Sequence, residues 1–321
     1  MGKKIVVIGS INGDLVIEVE SGPVMGQTVL GKNFVQVPGG KGANQAVACS
    51  RLGAETVIIG AIGDDDAGKE MAASLKSNGV CTANVKTVKG KPTGTAMIIV
   101  CAGDNYIAVD QGANLYVDKT QIDEAGQILR SADMVVLQLE IPLGTVKYAM
   151  EKCREFGVPT LLNPAPALAG LLTENIIGLA SLLTPNETEA YALTGIMPST
   201  PELAIEAARK LSDMGAGQVV ITLGSEGAVY GSGSDFFLMP AVEVSSVVDT
   251  TAAGDSFTAA LAVGLVEGKT LGDAVRFATK VGALTVTKKG AIPSLPYRNE
   301  VLEYSDLCNS LHSNTCNHYV S

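Results

Sequence analysis

The chain has 321 residues, 46% hydrophobic and 17% charged, with a formal net charge of −10, 4% aromatic residues and no tryptophan. That balance describes a folded globular chain, and it argues against a nucleic-acid partner, which needs a basic footprint or a platform of stacking rings. Glycine is in excess, 36 residues or about 11% against a usual ~7%, and without a G-X-Y period it is expected in tight turns and close backbone approaches.

In chain order, Ile5–Ile8 reads as a buried first strand, too short for a signal h-region or a membrane span. A cytoplasmic chain with no membrane partner is therefore expected. Helix-type stretches then alternate with short apolar runs: Ala43–Leu52, Val57–Ile59, Gly68–Lys76, Val135–Leu137, Thr145–Phe156, Leu182–Thr184, Glu187–Leu193, Glu202–Met214 and Val219–Thr222. This alternation predicts a mostly parallel sheet covered on both faces. Leu15–Glu20 with Thr28–Val37, and Thr95–Val100 with Tyr106–Val109, instead show the period of two expected of antiparallel strands. They predict a small second sheet, a lid formed by residues 12–38 and 94–112. The last third is helical, Ala253–Val266 and Leu271–Thr287. No linker or repeat divides the chain, so one α/β domain over residues 1–304 is expected.

Cysteines stand at 49, 81, 101, 153, 308 and 316 with no C-x-x-C pair, and both histidines, His312 and His318, lie in the last ten residues. The main body thus has no histidine for a catalytic triad or a histidine-ligated metal. Catalysis there must use carboxylates, lysines, backbone amides or oxygen-bound metal ions. In the 305–321 tail, Cys308, His312 and Cys316 fall at helical spacing and suit Zn²⁺, or the tail is simply polar and frayed.

Two common nucleotide fingerprints are missing. Gly40-Lys41 is followed by Gly42, with Val35 where a Walker A glycine is needed, and Gly9–Asp14 does not match G-x-G-x-x-G. Three other segments carry chemistry. In Val248–Phe257, the small residues Ala252, Ala253 and Gly254 precede a helix, where free amides and the macrodipole suit an anion and Asp255 can accept a proton. An ordinary capped Gly-Asp turn fits equally. The loop Gly39-Gly40-Lys41-Gly42-Ala43-Asn44 reads as a binding loop more than a hinge. Asn12-Gly13-Asp14 follows the first strand, where open α/β sheets bind ligands, and can grip a diol or form an Asx turn.

Together with Gln138–Pro142, Asn163–Ala167, Thr184–Glu189, Thr222–Gly227 and Lys289–Ser294, these segments resemble the ribokinase family of sugar kinases over residues 3 to about 304. The resemblance implies a three-layer sandwich with a β lid, and ATP-dependent phosphorylation of D-ribose at its 5-hydroxyl to give D-ribose 5-phosphate and ADP. The same machinery would serve deoxyribose or a nucleoside. A non-catalytic sugar-binding regulator is a third reading, against which the intact Gly254-Asp255 pair argues.

By the resemblance, Asp255 is the base, and the Ala252–Gly254 amides form the anion hole. Asn12, Gly13, Asp14, Gly40, Lys41, Gly42, Ala43, Asn44 and Glu140 hold the sugar with Asp255. Asn186, Thr222, Leu223, Gly224, Ser225, Glu226, Gly227, Gly254, Asp255 and Thr279 face the nucleotide, Thr279 standing where relatives often carry His or Asn. Asn186 and Glu189 match an N-x-x-E element that organises hydrated Mg²⁺. Asp249, Thr251, Thr285, Lys288, Gly290 and Ser294 match a K⁺ site formed mostly by carbonyls, and the lid implies a homodimer.

Overall fold

The computed structural model describes residues 2–101, 104–166 and 172–304; the tail with Cys308, His312, Cys316 and His318 lies outside them, as does Ala167. In chain order the elements are β1 (Lys4–Ile8), β2 (Asn12–Val19), β3 (Gly31–Gly39), α1 (Lys41–Arg51), β4 (Glu55–Gly63), α2 (Asp66–Ser77), β5 (Cys81–Val88), β6 (Thr95–Cys101) and β7 (Asp104–Asp110). There follow α3 (Lys119–Glu124), α4 (Gly126–Arg130), β8 (Met134–Leu137), α5 (Leu143–Phe156), β9 (Thr160–Leu162), α6 (Glu174–Ile177), β10 (Leu182–Leu183), α7 (Glu187–Thr194) and α8 (Pro201–Asp213). The chain continues through β11 (Gln218–Thr222), β12 (Ala228–Ser232), β13 (Asp235–Met239), α9 (Ala253–Val266) and α10 (Leu271–Thr285).

Among the described residues, nine strands form one sheet in the order β13-β12-β11-β10-β9-β8-β1-β4-β5, and four form a second in the order β3-β2-β6-β7. The large sheet is parallel except where β12 and β13 add as an antiparallel edge. Its centre is apolar on both faces, which is why β1 reads as a continuous hydrophobic run. Ile5 and Val7 pack with α1, α9 and α10, whereas Val6 and Ile8 face the layer containing α5 and α8. This is the expected α/β sandwich with a mostly parallel sheet.

The small sheet also forms from the two predicted insertions, but not by antiparallel pairing alone. Two antiparallel hairpins, β2 with β3 and β6 with β7, are joined through a parallel contact of β2 with β6. The register sets Leu15 beside Met97 and Val19 beside Cys101. Period two reports which face a residue takes, not the direction of its neighbour. Strands β5, β9, β12 and β13 are absent from the sequence reading: β9 has only three residues, and glycines interrupt the hairpin of β12 and β13. No described helix is long and apolar enough to cross a membrane.

Candidate active site

The carboxyl ends of β1, β8, β9, β10 and β11 and the N-termini of α1, α7 and α9 converge on one edge of the large sheet, the edge where open α/β sheets place ligands. Two turns set the cleft. Gly40 holds φ at 90° before α1, and a Cβ there would lie 2.8 Å from Asn12 N and 3.0 Å from the Ser10 carbonyl. Ala252 takes the left-handed conformation, φ 61°, at the start of α9. That conformation is costly for a residue with a Cβ.

Asp255, in the first turn of α9, is buried. Its Oδ2 accepts from Asn44 Nδ2 at 2.9 Å and its Oδ1 from Gln45 Nε2 at 2.9 Å. Burial is the strongest influence and pushes the carboxyl above the usual Asp value, against the pull of Lys41, Asn44 and Gln45 and with a further push from Glu140. Asp255 is thus a carboxylate whose proton affinity is heightened by its surroundings, as a general base requires.

Asp14 faces the same space from the lid. Its Oδ1 accepts from the Ala96 amide at 3.1 Å. Burial first, and then Glu140 and Asp255, push its pKa up to about 6, with Ala96 and Asn12 working downward. Asn12 is buried and accepts from Asn114 Nδ2 at 2.8 Å, and Asn114 Oδ1 in turn accepts from the Ile11 amide at 3.0 Å. Glu140 Oε2 accepts from Ser10 Oγ at 2.5 Å and from the Lys41 amide at 3.2 Å, so it sits at the positive end of α1. Burial opposes the charge of Lys41, but Asp255, Glu140, Glu189 and Asp14 together hold its ammonium above the usual Lys value. The ammonium is the counter-charge of the whole carboxylate set.

A cleft of about 70 Å³ is lined by Lys41, Asn163, Thr184, Asn186, Gly254 and Asp255 among others. A Cβ on Gly254 would meet nothing within 4 Å, so the N-terminus of α9 opens onto free space. The Ala253 amide donates to the Thr250 carbonyl at 3.2 Å. Among the buried polar atoms without a hydrogen-bond partner, Asn44 Oδ1 and Thr184 Oγ1 belong to this region. Such atoms mark where a polar ligand would enter.

Asn186 and Glu189 form a capping box at α7: Asn186 Oδ1 accepts from the Glu189 amide at 2.8 Å, and Glu189 Oε2 from the Asn186 amide at 2.9 Å. Burial raises the Glu189 carboxyl above its usual value, partly offset by Asn186 and Lys41. Thr222 lines the cleft beside the turn Gly224–Glu226, where Ser225 and Glu226 are exposed. Thr279 is buried within α10, and its hydroxyl donates to the Arg276 carbonyl at 2.9 Å.

Asp249 joins two stretches beside the start of α9. Its Oδ1 accepts from the Thr251 amide at 2.9 Å and its Oδ2 from the Gly290 amide at 2.8 Å. Burial works upward on Asp249, but the Thr251 and Gly290 donors hold its pKa below the usual value. Thr285 and Ser294 are fully buried nearby in sequence, with Thr285 Oγ1 donating to Ser256 Oγ at 2.8 Å. Lys288 pairs with Glu300 at 2.5 Å, so its ammonium points to that carboxylate. Among the described residues, no three His, Cys, Asp or Glu side chains are grouped to hold a metal.

A larger crevice, about 470 Å³, lies at the opposite edge of the sheet, lined by Arg154, Thr160, Gly178, Ser181 and Gly217 among others. Its polar groups are already engaged: Arg154 donates to the Gly178 carbonyl, Thr160 Oγ1 to Leu179, and Ser181 Oγ accepts from the Thr160 amide. Size alone does not make it the site.

The sequence reading leaves out Ser10, Gln45, Asn114, Gln138, Asn163 and Thr184 as site residues. Gln45 directly follows the Gly39–Asn44 loop, but its side-chain partners Gln138, Asn163 and Asp255 lie 93, 118 and 210 positions away. An amide or hydroxyl beside a glycine loop or at the end of an apolar strand was the available signal.

Residues 2–298 match the family model described as pfkB family carbohydrate kinase. The chain is 43% identical over 301 residues to a ribokinase of Bacillus subtilis, covering 94% of this chain and 99% of that one. It is 36% identical over 304 residues to a deoxyribokinase of Salmonella typhi, covering 94% and 99%. The structure of Arabidopsis thaliana ribokinase complexed with ribose and ATP matches with a TM-score of 0.86 at 35% identity, covering 94% of this chain and 98% of that one.

Proposed function

The chain belongs to the pfkB carbohydrate kinase family and is a ribokinase-like, ATP-dependent sugar kinase, and we propose that it phosphorylates D-ribose at the 5-hydroxyl. The observation that carries this reading is the buried Asn44 Oδ1, unpartnered and beside the carboxylate of Asp255. An acceptor left open next to a base suits a polyhydroxyl substrate. The similarity to a ribokinase complexed with ribose and ATP supports the same substrates here.

In this mechanism Asn12, Asp14, Lys41, Asn44 and Glu140 hold the sugar, with main-chain contacts from Gly13, Gly40, Gly42 and Ala43. Asp255 takes the proton of the attacking hydroxyl as the oxygen–phosphorus bond forms, and ADP leaves. The amides of Gly254 and its neighbours at the α9 N-terminus face the developing charge on the transferred phosphoryl group. The Thr222–Gly227 loop, Asn186 and Thr279 frame the nucleotide.

Asn186 and Glu189 suit a hydrated Mg²⁺ rather than direct ligation, because the capping box already uses one oxygen of each. When bound, that ion neutralises phosphate charge. Asp249, Thr251, Thr285, Lys288, Gly290 and Ser294 would supply oxygens to K⁺, and Asp249 holds the two stretches side by side. K⁺ there would steady the start of α9. The lid exposes Val35, Ile107 and Val109 on one face, and a second copy of the chain would cover them, giving a homodimer through the lid.

An ADP-release assay over D-ribose, 2-deoxyribose, other pentoses and nucleosides tests the substrate. The expected result is the highest kcat/KM with D-ribose. An equal or higher value for 2-deoxyribose or a nucleoside overturns the choice of sugar, and turnover of none supports a regulator instead.

A further inference from the structure

Behind the carboxylate of Asp255 lies a row of three buried side-chain amides, Gln45, Gln138 and Asn163. Gln45 Nε2 donates to Asp255 Oδ1 at 2.9 Å and to Asn163 Oδ1 at 3.1 Å. Gln138 Nε2 donates to Gln45 Oε1 at 2.6 Å, and Asn163 Nδ2 to the Thr184 carbonyl at 3.0 Å. An ionised carboxylate only accepts hydrogen bonds. It therefore turns the NH₂ of Gln45 toward Asp255. That leaves Gln45 Oε1 facing Gln138, which must present its own NH₂. The second N–H of Gln45 draws in Asn163 Oδ1, which turns the NH₂ of Asn163 to Thr184. Every amide in the row points one way, and an anionic Asp255 sets the direction.

The row is an expensive way to fill a core. Gln138 Oε1 is buried without a hydrogen-bond partner, a loss that apolar side chains of the same shape would avoid. The backbone also makes room for it, since a Cβ on Gly9 would collide with the Gln138 amide. Gln45 lies next to Asn44 on α1, whereas Asn163 and Thr184 follow β9 and β10 and line the cleft. One amide thus joins the glycine-loop side of the cleft to its strand-end side, with the carboxylate of Asp255 between them.

We propose that Gln45, oriented by Gln138 and Asn163, is the positioning residue that aims Asp255 at the attacking hydroxyl and keeps it ionised. The inference rests on the reading of Asp255 as the base. Asn44 holds the other oxygen, so the carboxylate is fixed at both ends while each oxygen keeps room for one more hydrogen bond. The charged groups around it are Lys41 at the start of α1, Asp14 on β2, Glu140 after β8 and Glu189 on α7. Lys41 favours the anion and the three carboxylates oppose it. Removing the N–H of Gln45 tips that balance toward the protonated, inactive form and frees the carboxylate to rotate.

The test measures kcat and both KM values from pH 5.5 to 9 for Gln45→Met, Gln138→Met and Asp255→Asn in the full chain. Gln45→Met is expected to lower kcat about 10²-fold, the scale of a misplaced reacting group, with little change in either KM. The acid limb of its kcat profile moves to higher pH. Gln138→Met removes the donor that anchors Gln45 Oε1, so Gln45 is held less firmly against Asp255 and the limb moves the same way by less. It also carries the test if Gln45→Met does not fold. An acid limb unmoved in every folded variant overturns the positioning role. Native turnover by Asp255→Asn instead overturns the base reading beneath it, so the two failures are distinguishable.

Discussion

On the Asp14 side of the cleft, Asn12, Asp14, Asn44 and Asp255 are buried side chains held by Asn114, Ala96 and Gln45. On the opposite side, the Thr222–Gly227 turn offers main chain and two exposed side chains, Ser225 and Glu226. The first arrangement is preorganised atom by atom, so each polar group removed leaves another unpaired. The second depends on backbone shape and should tolerate side-chain exchange. With the sugar on the first side and the nucleotide on the second, as proposed, selectivity for the one and tolerance in the Thr222–Gly227 turn follow from the same contrast.

The largest break in this contrast comes from Asp255→Asn. It should lower kcat by about 10²–10⁴-fold, the usual contribution of a positioned base, while nucleotide affinity measured by calorimetry persists. Turnover near the native rate would remove Asp255 from the chemistry.

Asp14→Asn comes next. Loss of a charged hydrogen-bond acceptor should raise the sugar KM on the order of 10–10²-fold, with the ATP KM nearly unchanged. An unaltered sugar KM would break the assignment. Asp14 also has a pH signature. Its pKa is raised from 3.8 to about 6 by burial, so the folded state holds its proton more tightly than the unfolded state. That difference lowers stability as pH rises from about 4 to about 6. Asp14→Asn should therefore raise Tm at pH 7 and leave it unchanged below about pH 4. In the native enzyme, kcat/KM for the sugar should fall as pH drops below about 6.

On the other side, the backbone itself is the sensitive element. Gly227 has φ 103°, and a Cβ there would lie 2.6 Å from the Ala241 amide nitrogen and collide with the Met239 carbonyl. Gly227→Ala should cost about 1–3 kcal/mol of stability and raise the ATP KM more than the sugar KM. Ser225→Ala, which removes only an exposed hydroxyl, should change either KM by about twofold or less. A larger effect from Ser225 than from Gly227 would reverse the comparison.

Much of this cleft was legible in the sequence because its main-chain parts are local. Small residues before Asp255 and glycines around Lys41 lie within a few positions of one another, and a helix N-terminus is a nearest-neighbour feature. What stayed hidden is what folding joins: Gln45 to Asp255 across 210 positions and Asn114 to Asn12 across 102. The glycines divide on the same line. A Cβ on Gly40 or Gly42 would run into Ser10, Asn12, Ile11 or Gly9 of the same chain, so close chain packing needs both glycines whatever ligand their backbone meets. Gly254 alone of these three opens onto empty space.

The parallel contact of β2 with β6 has a consequence for synthesis. Asp14 leaves the ribosome early, but the Ala96 amide that holds its carboxylate is made 82 residues later, after the whole β4–α2–β5 unit. At about 5–20 residues per second, that gap lasts about 4–16 seconds. A nascent chain therefore carries the Asp14 carboxylate without its Ala96 partner for that interval, and the cleft can take its final form only once translation has passed the second hairpin.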